Sequence, residues 1–325
     1  MGKKQIEVGG QAVIEGVMMR GPDNLATAIR RKDKTIEIKK TKFISKTKQN
    51  KFLGFPIIRG FASLIEMLII GLQTLNFSAS RAELDWEEEN PKKNKKKKSQ
   101  TREKFEEIVS YIFAFSLAFL LFAFLPYKIA EWMNLGKENV YFNLFAGTIR
   151  ITFFVLYVWI IGKMKDVKRL FEYHGAEHKS VFAYEADSKL DSDSVQRFKT
   201  FHPRCGTSFI FFVLLISILI FSLIDTMVTR FILSGNAPSI FLRLGYHFLL
   251  IPFISGISYE VLKLSGRNSE HPLVKLMTAP GLALQRITTQ PPDDEQIEVA
   301  VIAMKCALNL DVSDYKNLKF IKAKK

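Results

Sequence analysis

The chain has 325 residues, 48% of them hydrophobic, and a formal net charge of +15. Its apolar residues come in long blocks rather than being spread evenly, which excludes a pair of soluble domains as the leading reading. The basic excess lies mainly beside those blocks; it fits anionic lipid headgroups and, with no aromatic-interleaved basic motif, argues against nucleic acid as a partner.

Residues 1–51 are predicted to form a small cytoplasmic β-rich unit, with no apolar core of a cleavable signal at its start. Residues 11–19 are largely apolar, 25–31 follow the turn signal Gly21-Pro22-Asp23-Asn24, and 34–40 alternate across a Lys32-Asp33-Lys34 turn, giving a short meander. Glu15 and Arg20 flank Met18 and Met19 and read as ordinary surface charges. Residues 52–77 carry Ile58, Phe61, Ile65, Leu68, Leu72 and Leu75 in one stripe and Arg59, Ser63, Glu66 and Gln73 in another. A span here would also reverse the charge topology, so the segment is predicted to be an interfacial or re-entrant amphipathic helix rather than a fifth span. Residues 78–107 read as a charged, solvated linker.

Four segments, 108–125, 140–161, 209–224 and 240–257, are long, nearly uncharged and close to the ~20 residues a helix needs to cross the hydrocarbon core. They define a four-span membrane domain over 108–261. Lys92, Lys93, Lys95, Lys96, Lys97 and Lys98 precede the first span, and Lys163, Lys165, Lys168 and Arg169 follow the second. The loop 126–139 balances Lys128 and Lys137 with Glu131 and Glu138, while 225–239 offers Arg230 alone. By the positive-inside rule both termini and the loop 162–208 face the cytoplasm of a multi-pass cell-membrane protein. Cys205 and Cys306 are then on the reducing side, where a disulfide is not expected. Arg150 in the second span and Arg243 with His247 in the fourth are costly in hydrocarbon. Structural pairing, of Arg150 with Glu66 or Asp225, is the expectation, and a transporter built around Arg150 is the functional rival.

The loop 162–208 holds His174-Gly175-Ala176-Glu177-His178 and His202-Pro203-Arg204-Cys205-Gly206. With 171–184 helical, His174 and His178 lie one turn apart on one face. The order H-x-x-E-H is that of inverted zincins, in which the glutamate is a base rather than a ligand. His202 and Cys205 add an H-x-x-C pair closed by Gly206. The candidate zinc ligands are therefore His174, His178, His202 and Cys205, and the candidate catalytic base is Glu177. With all four bound, a tetrahedral zinc is full and structural; with one free, water takes the open position and catalysis becomes available. Histidines bonded to backbone groups and a small buried cysteine are the metal-free alternative. His271, ahead of Pro272, reads either as a further ligand or as part of a turn.

Residues 262–325 are expected to be a cytoplasmic helical tail, in which Pro291-Pro292-Asp293-Asp294-Glu295 opens a helix running to about Leu308. Four strings spread along the chain, residues 10–21 (GQAVIEGVMMRG), 174–179 (HGAEHK), 202–208 (HPRCGTS) and 289–292 (TQPP), together resemble the YqhQ-like family of bacterial membrane proteins. The resemblance covers nearly the whole chain. It implies a membrane location, a general expectation of metal dependence and candidate ligands at His174, His178, His202 and Cys205, and it implies no substrate; for a bacterial protein the membrane expected is the inner one.

The reading is a membrane all-α bundle of about four transmembrane helices with a small cytoplasmic β-rich N-terminal unit and cytoplasmic helical segments. The favoured function is a zinc-dependent enzyme, a hydrolase acting on a lipid or membrane-protein substrate at the cytoplasmic interface. The rival is a non-catalytic scaffold or regulator with a closed zinc site. Membrane lipids are the expected partners, and a homo-oligomer is allowed.

Overall fold

Strands β1 (Gly9–Val13), β2 (Gly16–Arg20), β3 (Asn24–Arg30) and β4 (Ile36–Lys42) form an antiparallel meander. The computed structural model describes residues 8–90, 100–133, 140–236, 238–268 and 271–321. The apolar stretch 11–19 is not one strand but a tight hairpin through Ile14 and Glu15, with Glu15 in the left-handed region at φ 53°. Along β2 the side chains alternate, as the two-residue period of a strand requires. Val17 and Met19 enter the main core while Met18 joins Leu25 and Ile70 on the opposite face.

Both faces are covered by helices. After α1 (Lys46–Gln49), α2 runs over Ile58–Glu89. Residues 78–89, expected in the charged linker, are therefore helical, because their charges have partners on the sheet. Arg31 Nε donates to Asp85 at 2.7 Å, Arg81 pairs with Glu37, and Lys32 binds Glu89. The lysines at 92–98 lie outside the described residues. The other face is covered by α6 (Lys165–Glu185), α7 (Ser192–Gln196) and α11 (Asp294–Ala307), which bury Tyr173, Ala176, Val195, Ile297, Val301 and Met304 against β2, β3 and β4. Helix α11 opens with a capping box between Asp293 and Gln296, as its acidic start predicts. Strand β5 (Leu318–Ile321) then pairs parallel with β4, Ile36 opposite Leu318. The N-terminal unit and the C-terminal tail are thus one layered body rather than separate pieces, and the tail is not wholly helical.

The remaining long helices are α3 (Gln100–Phe119), continued by a π-helical turn Leu120–Phe124 into α4 (Leu125–Trp132), then α5 (Val140–Ile161), α8 (Gly206–Met227) and α9 (Ile240–Arg267). With α2 they make five helices, among the described residues, long and apolar enough to cross a membrane. Helix α10 (Pro272–Thr288) packs along α8. His271 caps α10, its Nδ1 accepting from Leu273 N at 3.3 Å, so it serves as a helix cap.

The pairing of the charges on the apolar helices follows expectation only in part: Asp225 acts on Arg150 through its charge but makes no direct bond to it. Glu66 is taken by Ser45 Oγ at 2.7 Å and Lys46 N at 2.9 Å, and Asp225 is held by Arg243 at 3.3 Å, His247 at 2.9 Å and the Tyr246 hydroxyl. Arg150 instead donates Nε to the carbonyl oxygen of Phe122 at 2.7 Å. That carbonyl lies in the π turn, where the regular i→i−4 ladder is interrupted.

Candidate metal centre

Helix α6 places His174 and His178 four residues apart, and their ring centroids lie 4.4 Å apart. Cys205 is the N-cap of α8, its Sγ accepting from Thr207 N at 3.4 Å, so the start of α8 delivers the sulfur to the face of α6. His174 Nε2 is 3.2 Å from Cys205 Sγ. One ligand atom from each of His174, His178 and Cys205 lies within 4.8 Å of the other two. Tetrahedral zinc with Zn–N of about 2.0 Å and Zn–S of about 2.3 Å holds adjacent ligand atoms ~3.5 Å apart; the 3.2 Å between His174 Nε2 and Cys205 Sγ is of that size, and the donor types, two imidazoles and a thiol, suit such an ion.

The outer nitrogens strengthen that fit. His174 Nδ1 faces Thr288 O at 2.8 Å, and His178 Nδ1 bonds Thr200 O. A carbonyl only accepts, so each Nδ1 carries its hydrogen and each Nε2 keeps its lone pair for the shared space, the usual arrangement behind metal-binding imidazoles. Burial lowers the affinity of His178 for a proton, which favours the neutral form a ligand needs.

Glu177 is buried between the cluster and β1. Its carboxylate lies 3.5 Å from His178 Nε2 and accepts from the Gly10 N–H. Burial raises its pKa above the ordinary carboxylate range, with His174, His202 and the Gly10 bond opposing. A carboxyl so tuned can exchange a proton nearer neutrality. His202 stands apart. Its ring centroid is 5.7 Å from that of His178, its Nε2 is 3.4 Å from Glu185, and its Nδ1 accepts from Arg204 N at 3.3 Å. Of the four sequence-predicted ligands the structure brings three together, with Glu177 beside them, and leaves His202 outside the group, turned toward Glu185.

Several positions that hold the site have no chemical signature in sequence. Gln285 on α10 is fully buried; its Oε1 accepts from His202 N at 2.8 Å and its Nε2 donates to His202 O at 2.8 Å and Ser208 Oγ at 3.0 Å. This clamp fixes the turn that carries Cys205. Gly175, inside the histidine pair, permits the 289–292 segment to approach, since a Cβ there would stand 2.1 Å from Gln290 O. A Cβ on Gly10 would meet Glu177 at 2.7 Å. The four strings spread along the chain thus meet at one place.

Comparison with known proteins places the chain in a family. The family described as "Protein of unknown function (DUF1385)" matches residues 55–310. The chain is also similar to the uncharacterized protein YqhQ of Bacillus subtilis (strain 168), 33% identical over 313 residues, which is 96% of this chain and 95% of the relative. No solved structure matches it.

Proposed function

The chain belongs to the family of proteins of unknown function DUF1385, and on that premise we propose that it is a zinc-dependent membrane enzyme, a hydrolase whose site faces the cytoplasmic interface. The observation that carries this reading is the pair of imidazoles anchored through Nδ1 to Thr288 O and Thr200 O, with both rings beside Cys205 and with buried Glu177 alongside. His174, His178 and Cys205 would hold the ion, three protein ligands being the complement of a catalytic rather than a structural zinc. Bound zinc supplies Lewis acidity, polarising an acyl or phosphoryl oxygen and lowering the pKa of water. Glu177 accepts and returns the proton at its carboxylate, its affinity for that proton raised by burial. Gln285 and the Gly10 N–H keep the surrounding turn and the carboxylate in place.

The apolar helices support a substrate drawn from the membrane, a lipid or a membrane protein, and the reading carries four spans with both termini in the cytoplasm. From Glu66 to Glu89, α2 is engaged with the sheet and its flanking residues, through Ser45, Gln11, Ile14, Glu37 and Arg31. Its free side exposes Ile65, Leu68, Ile69 and Leu72, the stripe of a helix lying in the membrane surface. The spans are then α3 through α4, α5, α8 and α9. Since Cys205 caps α8, the candidate site sits where a span emerges from the bilayer.

Elemental analysis of protein purified in detergent should find about one zinc per chain in wild type and in Glu177→Gln, and a clear loss in His178→Ala. Glu177→Gln should fail to complement a deletion strain. Full complementation by that variant with zinc bound would favour the scaffold reading, and wild-type protein without metal would remove the enzyme reading altogether.

A further inference from the structure

The second polar centre of the molecule lies at the other end of the bundle. Asp225 is nineteen residues beyond Gly206 on α8, about 28 Å along the helix at 1.5 Å per residue, so this centre is separate from the histidine site. It lines a cavity of about 140 Å³ to which all four proposed spans contribute, with Arg150, Asp225, Arg243 and His247 on its wall beside Phe119 and Phe142.

The charges in this cavity do not balance. Both Asp225 oxygens are used, Oδ1 by Tyr246 and His247 and Oδ2 by Arg243. His247 is further fixed by stacking on Phe221 at 3.9 Å, and Arg243 lies over the Tyr127 ring. The single carboxylate therefore serves two guanidiniums, binding Arg243 directly and reaching Arg150 only through its charge, without a hydrogen bond or ion pair. Arg150 spends only its Nε, on Phe122 O. Among the described residues, its two terminal nitrogens have no hydrogen-bond or ion-pair partner. An unpaired guanidinium at membrane depth is costly unless an anion meets it, and its planar fork suits two oxygens of one phosphate group. π-helical turns, which concentrate at functional sites, flank the cavity at Leu120–Phe124, which supplies the Phe122 carbonyl, and at Val228–Ile232, directly after α8.

We propose that this cavity binds a phosphate group, with the terminal nitrogens of Arg150 as its principal donors and the Asp225–Arg243–His247 cluster as the fixed wall behind it. The proposal is independent of the zinc reading and uses the four-span reading only to place the cavity toward the outer leaflet. A lipid headgroup entering sideways or a free phosphate ion would present the same chemistry.

The test uses full-length protein in detergent and three probes: phosphatidylglycerol, diacylglycerol with the same acyl chains, and inorganic phosphate. Binding is read by native mass spectrometry and thermal shift. Phosphatidylglycerol binding without diacylglycerol or phosphate binding assigns a headgroup site, and binding of inorganic phosphate as well assigns a free-anion site. Arg150→Met should weaken binding about tenfold or more, the loss expected for a charged hydrogen-bond donor, while Arg150→Lys should retain part of it. Binding of neither phosphate probe, equal binding of diacylglycerol and phosphatidylglycerol, or undiminished binding by Arg150→Met would overturn the proposal. If Arg150→Met does not fold, the wild-type comparison of the three probes decides by itself.

Discussion

His174 and His178 differ from His202 in what lies behind the ring. The first two have a backbone carbonyl at Nδ1, whereas His202 accepts there from Arg204 N and directs Nε2 toward Glu185. An imidazole acting as acceptor at Nδ1 carries its hydrogen on Nε2, so His202 has no lone pair left for an ion while those contacts stand. His202→Ala should therefore keep close to the wild-type zinc content, and Cys205→Ala or His174→Ala should lose it. Metal loss in His202→Ala as large as in His178→Ala would restore the closed four-ligand centre.

Helix α2 is the element on which the proposed span count turns. It is apolar enough to be taken for a span, yet Gln11 donates to Gly71 O, Ser78 Oγ accepts from Ile14 N, and Arg31 binds Asp85. From Gly71 to Asp85 these contacts bind it to the sheet. At its start, Arg59 and Glu260 pair through both nitrogen and oxygen atoms, and Gly60 packs against Gly256, tying it to the last part of α9. Single cysteines at Asn50 and Asn90, in a background lacking Cys205 and Cys306, should both react with a membrane-impermeant maleimide only after the cytoplasmic side is opened. Labelling of one from each side of the membrane would make α2 a span.

At the scale of the whole molecule, Glu37 joins distant parts of the chain. Its side chain is 3% exposed and meets Arg31 at 3.0 Å, Arg81 on α2 and Lys319 on β5 at 3.4 Å. Removing one member of a buried charge group leaves the others uncompensated, at a cost of about 3–5 kcal/mol. Glu37→Ala should accordingly lower the urea midpoint of the sheet body, followed by pulse proteolysis, and release both α2 and β5. A loss below about 1 kcal/mol would mean that packing alone holds the three elements.

Local patterns were enough for the apolar helices, the meander, the amphipathic character of the segment after it and the histidine-cysteine group, because hydropathy, period and ligand spacing are properties of neighbouring residues. The hairpin inside 11–19 was not legible, since an apolar run does not mark where a strand turns back. The helical state of 78–89 was hidden for a related reason: charges that look solvated in sequence are satisfied by Arg31, Lys32 and Glu37 across the fold. Only the tertiary structure joined β5 to β4, sent Arg150 to Phe122 O and turned His202 toward Glu185. Each of these depends on which distant group reaches a given atom first, and that is decided when separated segments pack, not by the residues on either side.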